Sequence, residues 1–278
     1  MPGWDAPERF TFEGHAIRWG RMGSGPALVL LHGTPFSSYE WHRIAPILAS
    51  RRTVYFHDML GYGRSDMPRG ADVSLNVQNR IFAALLDHWG LKKPDVVAHD
   101  FGGATALRAH LIDGCDYRSL TLIDPVAVRP WGSLLVQHVR RYEAAFADMP
   151  AYMHHAILPA YVRSALYRPI ADAALAPYLE PWRSENGQKA FYSQVAQMDV
   201  AQTDEVQHRY GELRCPVQAL WGVQDQWIPI ERGRELASLL PNARFIAVPN
   251  SGHLMQEDAP EAIVAAVLTF LGELEAGS

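Results

Sequence analysis

The chain has 278 residues, of which 48% are hydrophobic and 20% charged, and its formal net charge is −5 at pH 7. The length suits one large domain, and a negative charge without a Lys/Arg cluster argues against a nucleic-acid partner. No stretch approaches the roughly 20 apolar residues of a membrane span, and the N-terminus lacks a signal-peptide pattern. Cys115 and Cys215 lie far apart, which fits a reducing compartment. We therefore expect a cytoplasmic protein without a membrane partner.

Strand and helix patterns alternate along the first 125 residues. Residues 10–19 have the alternation of a β-hairpin, and the continuously apolar run 27–31 is typical of a strand buried on both faces. A helix is predicted at 41–48, a strand at 53–57, a helix at 75–89 and a strand at 95–98. A helix that opens near 104 and a strand at 119–123 complete this part.

The pattern changes between residues 126 and 210, which are rich in Ala and aromatic residues and show no strand. We predict a helical lid, or cap, at 126–210, inserted after the strand that ends near Asp124. A core of residues 1–125 and 211–278 surrounds it. In that core, strands at 217–221 and 244–248 alternate with helices at 231–240 and 260–271. Such alternation predicts an α/β fold with a mostly parallel sheet, flanked by helices, that binds ligands at the carboxyl ends of its strands.

The most informative motif is the segment 99–103, which has the sequence His-Asp-Phe-Gly-Gly and joins a predicted strand to a predicted helix. This context is that of a nucleophile elbow, whose common form is G-x-S-x-G. Here Asp100 occupies the place of the Ser. A carboxylate there would attack a carbon that carries a leaving group and form an alkyl ester on the enzyme. The motif therefore favours the opening of C–O or C–halogen bonds over ester hydrolysis.

Two further candidates follow later strands, so they are expected at the same edge of the sheet as Asp100. Asp225 follows the strand at 217–221, and His253 follows the last strand in a Ser-Gly-His turn. The chain order of nucleophile, acid and His is the one found in α/β-hydrolases. The preceding strand also ends in an acid, Asp124, which stays an alternative. Asp225 is favoured because its spacing to Pro229 fits the later position well.

These motifs, with His-Gly-Thr-Pro at 32–35 and Gly-Tyr-Gly-Arg-Ser at 61–65, carry a family resemblance. From about Phe10 to Leu271 the chain resembles the α/β-hydrolase-fold superfamily, in the Asp-nucleophile branch that holds epoxide hydrolases and haloalkane and haloacetate dehalogenases. The resemblance implies a covalent mechanism without a cofactor. In that mechanism Asp100 attacks carbon, and His253 then activates the water that hydrolyses the ester. The backbone N–H groups of Thr34 and Phe101 would form the oxyanion hole.

The leaving group separates the activities within this branch. A halide needs polarised N–H donors, but Phe101 follows the nucleophile and Thr34 follows Gly33, and neither side chain supplies one. Lid indoles such as Trp131 and Trp182 are the remaining candidates for that task. An epoxide oxygen instead needs O–H donors, which the family supplies as two lid tyrosines.

We predict that Tyr192 is one of these donors and that Tyr142, or else Tyr152, is the other. His32, Trp131 and Tyr152 are the expected substrate contacts, and His32 is also expected to organise the oxyanion loop. The favoured interpretation is an epoxide hydrolase that converts a small apolar epoxide and water into a vicinal diol. The alternatives are a haloalkane or haloacid dehalogenase that releases halide and a non-catalytic small-molecule receptor. A monomer or a homodimer is expected.

Overall fold

The computed structural model describes residues 4–277 and is built on one eight-stranded sheet. The strands are β1 (Glu8–Phe12), β2 (His15–Gly23), β3 (Ala27–Leu31), β4 (Thr53–His57), β5 (Asp95–His99), β6 (Ser119–Ile123), β7 (Val217–Gly222) and β8 (Arg244–Val248). Their spatial order is β1-β2-β4-β3-β5-β6-β7-β8. Only β1 and β2 pair antiparallel, and β3 to β8 are parallel to one another. The carboxyl ends of six strands therefore share one edge.

The helices follow the strands in the alternation that the sequence predicts. They are α1 (Ala45–Leu48), α2 (Leu75–Trp89), α3 (Phe101–Leu111), α4 (Leu134–Ala147), α5 (Ala151–Arg163), α6 (Asp172–Leu179), α7 (Glu185–Ala196), α8 (Ala201–Gln207), α9 (Ile230–Leu239), α10 (Met255–Asp258) and α11 (Pro260–Ala276). Short 3₁₀ helices cover Ser38–Trp41, Glu180–Trp182 and Tyr210–Glu212. No helix within residues 4–277 is long and apolar enough to span a membrane.

The sheet is covered on both faces, as its apolar central strands require. Side chains alternate along β3, so Val29 and Leu31 belong to one apolar cluster, while Leu28 and Leu30 belong to a second. The first cluster includes α2, α3 and the lid, and the second includes α1 and α11. This burial on two faces explains why β3 has a continuous apolar run rather than an alternating one. The prediction of an α/β-hydrolase fold is confirmed by this sheet and its helices.

One predicted helix is absent from the structure in the expected form. Residues 41–48 form the end of a 3₁₀ helix and then the single turn α1, rather than a continuous helix. Pro46 lies in the first turn of α1, where its missing N–H costs nothing. In the interior of a longer helix the same proline would remove a hydrogen bond and clash with the preceding turn.

Five α-helices, α4 to α8, lie between β6 and β7 and cover the carboxyl edge of the sheet. Their packing includes an extensive contact between α4 and α7. Trp182 anchors this helical lid to the core, since its indole Nε1 donates to the carbonyl of Pro35 at 2.9 Å. The lid therefore rests directly on the loop that follows β3, which is the loop that carries Thr34.

Candidate active site

Asp100 lies at the apex of a strained turn between β5 and α3. Its φ and ψ angles are 47° and −115°, a conformation that L residues rarely adopt. Small neighbours allow this turn, because a Cβ at Gly102 would lie 2.6 Å from the carbonyl oxygen of His32. A Cβ at Gly103 would lie 2.5 Å from Pro125. The glycines of the motif thus let the elbow pack against the neighbouring strand ends, and the turn projects the carboxylate beyond the sheet.

The structure brings Asp100, Asp225 and His253 together. His253 Nδ1 lies 2.8 Å from Asp225 Oδ2, and His253 Nε2 lies 3.5 Å from Asp100 Oδ1. The second oxygen of Asp225 accepts the backbone N–H groups of Trp227 (2.7 Å) and Ile228 (3.0 Å). All three triad side chains are buried. The acid therefore holds the imidazole in a fixed orientation, with Nε2 facing the nucleophile.

Asp124 is close to the triad but makes different contacts. Its Oδ1 accepts the backbone N–H of Gly222 at 2.8 Å, and its buried Oδ2 has no hydrogen-bond partner. Burial and the charge of Asp225 raise the pKa of Asp124 well above its ordinary value. Of the two candidate acids, Asp225 is the one hydrogen-bonded to His253.

The nucleophile and the imidazole shift each other's protonation. Burial alone would raise the pKa of Asp100, but the neighbouring His253, the charge of His99 and the N–H of Thr34 lower it overall. Burial alone would lower the pKa of His253, but the carboxylates of Asp225 and Asp100 raise it well above its usual value. Asp100 is therefore an ionised carboxylate, as an unactivated nucleophile must be.

The two predicted oxyanion donors flank the nucleophile. The N–H of Thr34 donates to Asp100 Oδ2 at 2.7 Å. Phe101 is the first residue of α3, where a backbone N–H has no carbonyl partner within the helix. Because Oδ2 is already bound to Thr34, Oδ1 is the carboxylate oxygen left for attack.

A narrow cavity of about 20 Å³, enough for a water molecule, lies above the triad and is lined by Asp100 and His253. Its walls combine two members of the triad with aromatic and short apolar residues: Thr34, Asp100, Val126, Trp131, Gly132, Ser133, Val136, Tyr161, Met198, Trp227, Ile228 and His253. Trp131 thus lies at the cavity, as the sequence predicts for a substrate contact. No Lys or Arg lines it, so the site suits a small, largely apolar and uncharged molecule.

The tyrosines predicted as donors do not reach this cavity. Tyr142 and Tyr152 are 53% and 75% exposed on the outer surface of the lid. Tyr192 is buried inside the lid, where its hydroxyl lies 3.1 Å from His154 Nδ1 and 3.7 Å from the sulfur of Met149. Burial raises the pKa of Tyr192 to about 12. Tyr192 and Tyr142, predicted as donors, and Tyr152, predicted as a substrate contact, are therefore not among the residues that line this cavity.

His32 also lies away from the cavity. Its Nδ1 is 2.8 Å from the carbonyl oxygen of Gly33, and its Nε2 accepts the N–H of Met59 at 2.9 Å. Both ring nitrogens are thus used within the core. Its expected role in organising the oxyanion loop fits these contacts, whereas a direct contact with substrate does not.

The tyrosine that does line the cavity is Tyr161, on α5. Its ring stacks on Trp227 with 4.5 Å between ring centroids, and Trp227 in turn packs against the imidazole of His253. The hydroxyl of Tyr161 is hydrogen-bonded to Ser133, which lowers its pKa, but burial and the charge of Asp100 raise that pKa overall, so the hydroxyl keeps its proton. A signal for it exists in the sequence, because α5 buries residues at helical spacing and Tyr161 lies three positions after the buried Leu158.

Comparisons with known proteins agree with this architecture. The family model described as the alpha/beta hydrolase fold matches residues 26–260, and the chain belongs to that family. A solved α/β hydrolase fold protein from Burkholderia ambifaria is 55% identical, with a TM-score of 0.93 over 96% of this chain and 98% of that one.

More distant matches carry named activities. A fluoroacetate dehalogenase from Burkholderia sp is 27% identical over 92% of this chain and 90% of that protein. The haloalkane dehalogenase DatA from Agrobacterium tumefaciens C58 is 22% identical, with a TM-score of 0.82 over 96% of each chain. The similar proteins thus include dehalogenases and an epoxide hydrolase.

Proposed function

We propose that this protein is an epoxide hydrolase that works through an alkyl ester on Asp100 and releases a vicinal diol. The observation that carries the proposal is the position of Tyr161, whose side chain lines the same small cavity as Asp100 and His253. A buried phenol beside a buried carboxylate supplies the O–H donor that an epoxide oxygen needs when its ring opens.

In the first step, Asp100 Oδ1 forms a bond to one epoxide carbon as the C–O bond of the ring breaks. The ring oxygen takes the proton of the Tyr161 hydroxyl, which leaves a hydroxyalkyl ester and a phenolate. The high pKa of Tyr161 keeps this donor protonated until the oxygen becomes basic. Apolar walls at Val126, Val136 and Met198 would hold the hydrocarbon part of the substrate.

Ester formation also prepares the second step. It removes the negative charge of Asp100, which is one of the two charges that raise the pKa of His253. The imidazolium can then return a proton to the phenolate and become a general base for water. Water adds to the carboxyl carbon of the ester, the N–H of Thr34 stabilises the oxyanion on Oδ2, and the diol leaves. The sum of both steps is epoxide plus water to diol.

A dehalogenase is the second candidate, because the same carboxylate would displace a halide and a fluoroacetate dehalogenase is among the relatives. Its weakness is the halide site. The indole N–H of Trp131 donates to Thr203, that of Trp182 to Pro35 and that of Trp227 to Ser164, each at 2.9 Å. A halide would have to displace one of these acceptors, whereas Tyr161 lines the cavity together with Ser133, the side chain to which its hydroxyl is hydrogen-bonded.

The deciding experiment uses His253→Gln, which keeps the nucleophile but lacks the base. We expect small aryl and alkyl epoxides to accumulate as an ester on Asp100 in this variant. Intact-protein mass then increases by the full mass of the epoxide, whereas a haloalkane adds its mass less that of the hydrogen halide. Diol formation and halide release are measured in parallel on the unmodified protein.

Asp100→Asn is the matched control and should give neither the adduct nor the product. Halide release without diol formation would favour the dehalogenase. If neither the epoxides nor the haloalkanes form an adduct with His253→Gln, the covalent mechanism is contradicted.

A further inference from the structure

A second buried carboxylate, Glu40, lies directly behind the triad. It comes from the 3₁₀ helix Ser38–Trp41, and its side chain is fully buried. Oε1 of Glu40 accepts the backbone N–H of Gly33 at 3.3 Å and the side-chain amide of Gln256 at 3.3 Å. Gly33 immediately precedes the oxyanion donor Thr34, and Gln256 lies in α10, just after His253. The carboxylate of Glu40 therefore contacts both the oxyanion loop and the helix that follows His253.

His99 connects this carboxylate to the backbone of His253 and to the elbow that carries Asp100. Its Nδ1 lies 3.1 Å from Glu40 Oε1, and its Nε2 donates to the backbone carbonyl of His253 at 3.0 Å. His99 is also the residue before Asp100, and its ring lies 5.0 Å from the ring of His253, centroid to centroid. The imidazole thus spans the distance between Glu40 and the backbone of the general base.

Burying a carboxylate is costly unless its hydrogen bonds are well satisfied, so such a group is a poor way to gain stability alone. Within residues 4–277, His99 is the one ion-pair partner of Glu40, and neither side chain is exposed. The arrangement instead holds parts of the site in a common frame: the oxyanion loop, the elbow and the backbone of the base.

We propose that Glu40 is a positioning residue that acts through His99 and sets the geometry for hydrolysis of the ester on Asp100. The proposal rests on the covalent mechanism given above. Both groups that it positions, the Thr34 N–H and His253, act chiefly in the second step. The first step depends on Asp100 and Tyr161, which Glu40 does not contact in the hydrogen-bonding pattern of the structure.

The test is Glu40→Gln, which keeps the shape but places a donor where an acceptor is needed. We expect the rate of ester hydrolysis to fall by about 10- to 100-fold, as for a misplaced group. Ester formation should stay within about threefold, so the ester accumulates during turnover and kcat falls more than kcat/KM. Rapid quenching followed by intact-protein mass measures the two rates separately with an epoxide substrate.

Two further variants give the experiment its controls. His99→Gln should show the same defect, and the double variant should be little worse than either single one, because the two residues act as one unit. Asp95→Asn is the matched control, since Asp95 is also buried and ion-paired but begins β5, at the opposite edge from His99. Asp95→Asn should lower the unfolding temperature and leave the ratio of ester hydrolysis to ester formation unchanged.

The outcomes separate the two proposals. An unchanged rate ratio in Glu40→Gln, or an equal fall in both rates, would overturn the positioning role. Additive effects of Glu40→Gln and His99→Gln would overturn the route through His99. If Glu40→Gln fails to fold, the ratio of ester hydrolysis to ester formation in His99→Gln alone tests the positioning role. Failure of His253→Gln to form an ester would instead count against the covalent mechanism itself.

Discussion

The sequence predicts the positions of site residues well at the carboxyl edge of the sheet and poorly in the lid. At the sheet edge, Asp100, Asp225 and His253 each follow a strand, and parallel pairing of those strands brings them within contact of one another. In the lid, helices pack on helices, and a residue's depth depends on how each helix is rotated. Tyr152 is exposed to solvent and Tyr161 lines the cavity, although both belong to α5. Strand order constrains position far more tightly than helix content does.

The largest expected effect tests the sheet edge. Asp225→Asn should lower kcat by about 10⁴-fold, because an amide holds His253 in the wrong tautomer. Asp124→Asn should change kcat by less than about threefold, since Asp124 is bonded to the N–H of Gly222 rather than to His253, and Asn tolerates the φ of 40° found there. Steady-state rates on one epoxide measure both. A reversal of the two effects would show that Asp124 is the working acid.

The same pair has a consequence for stability. The folded pKa of Asp124 is raised, so the protein should lose stability as pH rises from the unfolded pKa of about 3.9 towards that folded value. Asp124→Asn removes this titration. The free energy of unfolding, measured with denaturant between pH 4 and pH 8, should therefore fall less steeply with pH in the variant than in the parent.

The predictability of each part follows from these constraints. The elbow, its glycines and the order of the triad were predictable because each depends on a few adjacent residues and on strand order. The choice between Asp225 and Asp124 needed coordinates, since both follow neighbouring strands. The role of Glu40 was not predicted, because a short 3₁₀ helix has no hydrophobic periodicity that marks a buried side. The position of Tyr161 at the cavity was not predicted, because the orientation of α5 depends on tertiary packing.

A smaller effect tests the lid. Tyr161→Phe should lower kcat/KM for epoxides by about 10²-fold, the lower range for loss of a general acid. The matched change Tyr192→Phe removes a buried hydroxyl that lies outside the cavity and should leave kcat/KM within about threefold. Diol formation by both variants is measured on the same substrate. Equal losses in the two would contradict the assignment of Tyr161 as the donor.

The smallest effect concerns the junction of the two regions. Asp258 accepts the N–H groups of Tyr167 (2.8 Å) and Arg168 (2.9 Å) in the lid segment between α5 and α6, and that of Gly252 (2.8 Å) beside His253. Asp258→Asn should lower the free energy of unfolding by about 1–3 kcal/mol, because one buried donor loses its acceptor. Urea unfolding measures this. A rise in KM without loss of stability would show that the junction governs lid opening instead.

The hydrogen bond from Thr34 to only one oxygen of Asp100 has a further consequence for the atoms of the protein. In the proposed reaction, Oδ1 becomes the bridging oxygen of the ester and departs in the diol, while the oxygen of water takes its place in the carboxylate. Oδ2 stays in the oxyanion site throughout. The Oδ1 atom would thus be replaced by an oxygen from solvent at every turnover, whereas the original Oδ2 atom would be retained.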